Sequence, residues 1–268
     1  MAALTGLGPA VSARAEPPFD HQHTAWTSLL QRHVVLAPPG FSSGLRYAAM
    51  QSERALLLAY LASLSAVSMA SYQDWSKRQQ LAFLVNAYNA YTIDLVLSRY
   101  PDLRSIKDLG NMFQSPWKKT FFRLLGEERS LDEVEHGLIR APGKFDDPRV
   151  HMAVVCASAA CPMLRNEAFT ATRIDAQFDD SMRRFMSDRR RNRFEGAPGR
   201  SGVLRVSKIF DWYRADFERG HQGFSSVQSV FARYAEALAD APAARADIRA
   251  GRYRLEFFDY DWSLNDAR

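Results

Sequence analysis

Both cysteines of the chain, Cys156 and Cys161, lie in HMAVVCASAACPML (151–164), an apolar run headed by His151. A thiolate beside an imidazole can act as a nucleophile with its base. Two thiols at this spacing can also close a small disulfide, and either can simply be a small buried apolar residue. The stretch VHMAVVC (150–156) reads as a buried strand. Alternation then places Val150, Met152, Val154 and Cys156 on one face and His151, Ala153 and Val155 on the other. His151 and Cys156 would lie about 16 Å apart along an extended strand, so they could not pair within it. Cys161 follows the small-residue loop ASAA and can reach back, and His136 can approach from elsewhere. A Cys156–Cys161 disulfide, inert packing and a reactive thiol all stay open. Two cysteines without further ligands nearby are poor evidence for a metal site.

Asn86 and Asn89 sit inside an otherwise apolar helical segment. Asparagine is a poor helix former and costly to bury without partners. At i and i+3 the two amides share a face. They read either as a polar binding site or as a structural pair that fixes neighbouring loops. Glu135 and His136 are adjacent in a short helix and point about 100° apart, so they serve one site only if that helix lies along its rim. No phosphate-binding glycine loop, Gly-x-Ser-x-Gly or His-Glu-x-x-His occurs. The reading therefore includes no metal and no cofactor.

Long helical stretches must position these groups. Residues 19–35, 51–70 and 76–101 read as helices, the last stopped by Pro101. Ser130 with Glu133 three residues on makes a capping box for 130–140. A helix is expected over 174–192, a turn at 196–202, a strand then a helix from 203, a further helix over 225–240 and a terminal strand from 253. Helices outnumber strands, which predicts an α+β class with a small sheet.

Charged residues are 24% of the chain and hydrophobic ones 47%, the balance of a globular protein with a substantial core. The net charge of +5 comes with an arginine run at 183–194 that reads as a solvated helix face. No nucleic-acid module accompanies it, so no nucleic-acid partner is expected. No apolar run reaches the roughly 18–20 residues of a transmembrane helix. Ala13-Arg14-Ala15 has the form of a signal-peptidase site cutting before Glu16. Residues 1–15 thus read as a leader remnant or tail and 16–268 as one domain, periplasmic or secreted.

FLVNAYNAYTIDLVLSRYP, LDEVEHGLIR, DPRVHMAVVCASAACPML, LRVSKIFDWYRADF and FDYDWSLN, in this order, resemble the DUF547 family of undefined function, in its bacterial exported type. The resemblance implies that Asn86, Asn89, Glu135, His136, His151 and Cys156 occupy the family's polar positions. It implies that Cys156, rather than Cys161, is the thiol to watch, and that a disulfide is not obligatory across the family. A looser analogy joins the fold to papain- and transglutaminase-like proteins, with Asn86 or Asn89 where a nucleophile would stand. The first functional expectation is a cell-envelope binding or interaction module built on the Asn/Glu/His cluster, with an envelope protein or small molecule as partner. The alternative is a thiol hydrolase or acyl-transferase. There Cys156 attacks, His136 or His151 is base, Glu135 orients it and an Asn86 or Asn89 amide holds the oxyanion.

Overall fold

The computed structural model describes residues 18–111, 113–196 and 202–267. The leader-like stretch 1–15 lies outside these, as does most of the turn expected at 196–202. The fold is α+β and mainly helical, with sheets of two or three strands.

Helix α1 (Thr24–His33) leads into the hairpin β1 (Val34–Ala37) and β2 (Ser42–Leu45), then α2 (Tyr47–Ser52), α3 (Arg54–Ser65), α4 (Met69–Gln73) and α5 (Lys77–Leu97). Ser76 starts α5 with a capping box: its side chain accepts from the main chain of Gln79, whose own side chain returns the bond. Helix α5 is buried almost all round, which explains its lack of a polar face. A second hairpin, β3 (Phe122–Leu124) and β4 (Glu127–Arg129), precedes a π-helix at Glu133–Ile139. The expected Ser130–Glu133 capping box opens it, with Ser130 N donating to Glu133 Oε2 at 2.7 Å.

Helix α6 (Ile174–Ser187) follows, then β5 (Arg193–Glu195), β6 (Gly202–Val206), α7 (Ile209–Trp212), α8 (Arg214–Phe217), α9 (Val227–Arg233), α10 (Ala235–Leu238), α11 (Pro242–Arg249) and β7 (Tyr253–Phe257). Strand β6 pairs antiparallel with β5 and parallel with β7, and helices α7 to α11 make the long crossover that a parallel pair needs. Helix α6 ends short of the expected 192. Asp188 turns its carboxylate onto the main-chain N–H of Arg190 at 3.1 Å, and the Asn192 amide donates to the Phe185 carbonyl at 2.8 Å. Such local side-chain bonds compete with helix continuation.

The strand expected at 150–156 does not form. Pro148–Met152 is a 3₁₀-helix with Asp147 as its cap, and 153–156 runs on without a strand partner. Buried Arg149 ties this turn to α6 through Asp175 and Asp179, while Asp147 holds it from its own side. Main-chain groups that a neighbouring strand would satisfy are taken by side chains instead. The segment runs between two apolar clusters: Val150 and Val154 pack into the one around α5, Met152 into the one around α6, β6 and α9.

Candidate functional site

The strand alternation that would separate His151 from Cys156 is therefore absent, and both line one cavity of about 220 Å³. Helix α5 sets the position of the cysteine. Asn89 Nδ2 donates to the Ala153 carbonyl at 2.9 Å, and Asn89 Oδ1 accepts from Val155 N–H at 2.8 Å. Asn86 does the same one turn earlier, donating to the Phe169 carbonyl at 2.8 Å and accepting from Phe169 N–H at 3.0 Å. Each amide acts like a residue in a neighbouring strand. Neither side chain lines the cavity, so neither is placed to bind a ligand there or hold an oxyanion; Tyr88 of the same helix lines it instead.

From Cys156 the chain makes a tight loop. Ala157 adopts φ 61°, and Cys161 N–H donates to the Ser158 carbonyl at 3.1 Å. The closing segment clamps this loop: Ala159 N–H donates to Ser263 O at 2.7 Å and Asn265 N–H to Ala157 O at 3.1 Å. That pairing brings Tyr260 and Trp262 to the cavity.

Both cysteines are free thiols. Their sulfurs lie 3.0 Å apart, and Cys156 N–H donates to Cys161 Sγ at 2.9 Å. Ser158 Oγ and Tyr260 Oη lie 3.2 and 3.3 Å from Cys156 Sγ. The Cys161 contact, aided by Ser158 and Tyr260 against the opposing effect of burial, pulls the Cys156 thiol down to about 7. Burial, then the neighbouring Cys156, pushes Cys161 up. The same two influences raise Tyr260. Cys156 is thus the sulfur that ionises, with Cys161 and Tyr260 as its proton donors.

His151 is buried, and its Nε2 lies 2.8 Å from Asp216 Oδ2. Arg140 Nε donates to the same carboxylate oxygen at 2.6 Å, and Arg219 reaches the other oxygen at 2.9 Å. Burial opposes ionisation of Asp216, yet the bonds from His151 and Arg140 win and hold it well below the usual carboxylate range. Burial pushes His151 down, so its resting form is the neutral imidazole. Tyr213 stacks on its ring at 3.9 Å between centroids, and the Arg140 guanidinium lies 4.4 Å from the Tyr213 ring centroid. Asp216 thus engages Nε2 and fixes the orientation of the ring.

Glu135 and His136 both line the cavity, because the π-helical winding of Glu133–Ile139 widens this rim; Arg140 N–H bonds five residues back to Glu135 O at 2.8 Å. Glu135 does not orient a histidine: its Oε1 is 4.0 Å from His136 Nε2. His136 is half exposed and its Nδ1 contacts the Arg140 guanidinium. Among the described residues, the partners of Cys156 Sγ are Cys161, Ser158 and Tyr260, and no histidine bonds it.

Sequence reasoning missed Asp216 and Arg140, and it gave Tyr213 and Tyr260 no place beside His151 or the thiol. FDWYRADF and FDYDWSLN carry Asp216, Tyr213 and Tyr260, yet no spacing within them points to Cys156. Among the described residues, no group of three or more His, Cys, Asp or Glu is placed to hold a metal ion, and no helix is long and apolar enough to cross a membrane.

Residues 72–186 match the family model described as protein of unknown function, DUF547. The matched stretch holds Asn86, Asn89, Glu135, His136, His151 and both cysteines, while Asp216, Tyr213 and Tyr260 lie beyond it. No curated protein and no solved structure matches the chain.

Proposed function

We propose that the protein is a thiol-dependent hydrolase or acyl-transferase acting through Cys156. The observation that supports this reading is the convergence on one cavity of Cys156, ringed by proton donors, and His151, aligned by Asp216. Cys156 Sγ attacks an acyl carbon and forms a thioester as the bond to the leaving oxygen or nitrogen breaks. The proton from the thiol passes to His151 and then to the leaving group. Water or a second nucleophile then attacks the thioester, giving its proton to His151 and returning Cys156. The Tyr260 hydroxyl is the donor beside the reacting sulfur. Export to the periplasm or beyond is part of the proposal, supported by Ala13-Arg14-Ala15.

The test is incubation with p-nitrophenyl acetate followed by intact-mass and peptide mapping. One acetyl group on Cys156, released with time and missing in Cys156→Ala, is the expected result. A wild-type protein that takes up no acetyl group there, or a variant that hydrolyses the ester equally well, overturns it. A second reading, a non-catalytic binding module, draws support from the thiol partners themselves, none of which is a histidine. Saturable ligand binding without acylation favours that reading.

A further inference from the structure

One carboxylate of the cavity lining takes no part in the acyl chemistry, although it faces Tyr213, whose hydroxyl is pushed up by burial and then by Glu135. Glu135 is 7% exposed and lines the cavity, yet its Oε1 has no hydrogen-bond partner. The nearest cations stand off: Arg140 Nη1 is 3.8 Å away and His136 Nε2 4.0 Å. Arg140 spends its short contacts on Asp216 and the His136 ring. A buried carboxylate oxygen without a donor is costly, and in a cavity wall a ligand can supply that donor. Asp132 adds a second carboxylate to the same lining.

The remaining walls suit a cation. Trp212 stacks on Trp262 with centroids 5.8 Å apart, Tyr260 lies 4.5 Å from Trp262, and Trp117 closes the group at 5.7 Å from Trp262. An ammonium already rests on this cluster, since Lys107 Nζ lies 3.8 Å from the Trp262 ring centroid. Aromatic faces and a desolvated carboxylate together recognise an alkylammonium group.

We infer that the cavity takes a substrate bearing a primary ammonium on a flexible chain, which pairs with the Glu135 carboxylate and lies along the Trp212–Tyr260–Trp262 wall. The inference rests on reading the cavity as the substrate site. Two sources share this chemistry, a small free amine and a lysine side chain of a peptide.

The test is calorimetric titration of the full chain carrying Cys156→Ser, so that binding is read apart from thiol chemistry. The probes are n-butylammonium, Nα-acetyl-lysine methylamide and uncharged 1-pentanol. Saturable binding of either ammonium, with none by 1-pentanol, is expected, and Glu135→Gln should weaken it at least tenfold. Tighter binding of the lysine derivative identifies a peptide source, and tighter binding of butylammonium a free amine. Equal binding of 1-pentanol, or a folded Glu135→Gln protein with unchanged affinity, overturns the inference. If Glu135→Gln fails to fold, Trp212→Leu takes its place, because Trp212 is half exposed; a several-fold loss is expected and no change overturns it. The two readings fail separately: ammonium binding without wild-type acetylation removes the thiol reading alone, and acetylation without ammonium binding removes this inference alone.

Discussion

Asn89 on helix α5 grips the chain on both sides of Val154, donating to Ala153 O and accepting from Val155 N–H, and so places Cys156 at the cavity. A helix side chain here does the work of a strand edge. The helix is among the most buried elements of the fold, which makes the attachment rigid.

Replacing Asn89 with alanine leaves two buried main-chain groups without partners. We predict a loss of about 2–6 kcal/mol in urea unfolding, from roughly 1–3 kcal/mol per orphaned group. Asn86→Ala should cost a similar amount. The two should separate in thiol alkylation of the folded protein: Asn89→Ala slows or accelerates labelling of Cys156, while Asn86→Ala leaves it unchanged, because Phe169 does not line the cavity.

Alkylation of Cys156 by iodoacetamide should rise with a midpoint near pH 7, because the thiolate forms above its pKa of about 7. Cys161 should stay unlabelled over the same range. Cys161→Ala removes the first of the donors and should move the Cys156 midpoint upward, towards the ordinary thiol value of about 8.5. Peptide mapping across pH reads both. A midpoint that stays in place after Cys161→Ala would show that another group sets it.

Asp216→Asn should lower the rate of acetyl transfer from p-nitrophenyl acetate while leaving Cys156 alkylation largely intact, since Asp216 aligns His151 rather than contacting the sulfur. It should also destabilise the fold by about 3 kcal/mol, as removal of one partner strands Arg140 and Arg219 in a partly buried cluster. The wild-type Asp216 contribution has a defined sign. Its folded pKa is depressed, so the stability is present above the unfolded value of about 3.9 and lost as pH falls below it.

His23 is buried, its Nδ1 is 2.7 Å from the Tyr60 hydroxyl, and burial pushes its pKa down to about 4. The unfolded chain then binds a proton between pH 6.5 and 4 that the folded protein refuses. Stability therefore falls as pH falls through this window, by up to about 3 kcal/mol. Urea midpoints at pH 7 and pH 5 should differ less in His23→Gln than in wild type. Burial lowers His151 as well, which adds a slope in the same direction.

Periodicity and caps made much of the helical frame legible. Helix α5 was readable from its long, mostly apolar run, and the Ser130–Glu133 box from spacing alone, because both depend on residues within a turn or two of each other. The segment 150–156 was misread for the opposite reason. Its apolar, β-branched composition suits a strand, but a strand needs a partner edge, and Asn89 and Arg149 supply distant side-chain contacts instead.

The candidate site divides in the same way. Residue chemistry by itself marked Cys156, His151 and Glu135, since thiol, imidazole and carboxylate are visible one residue at a time. Only the tertiary structure joined His151 to Asp216, 65 residues away, and Cys156 to Tyr260, 104 residues away. Only the fold, likewise, turned Asn86 and Asn89 away from the cavity and onto the main chain. Local preference acts through neighbouring residues and can be read along a chain; ionisation, orientation and an unpaired buried oxygen depend on what distant segments bring within about 3 Å.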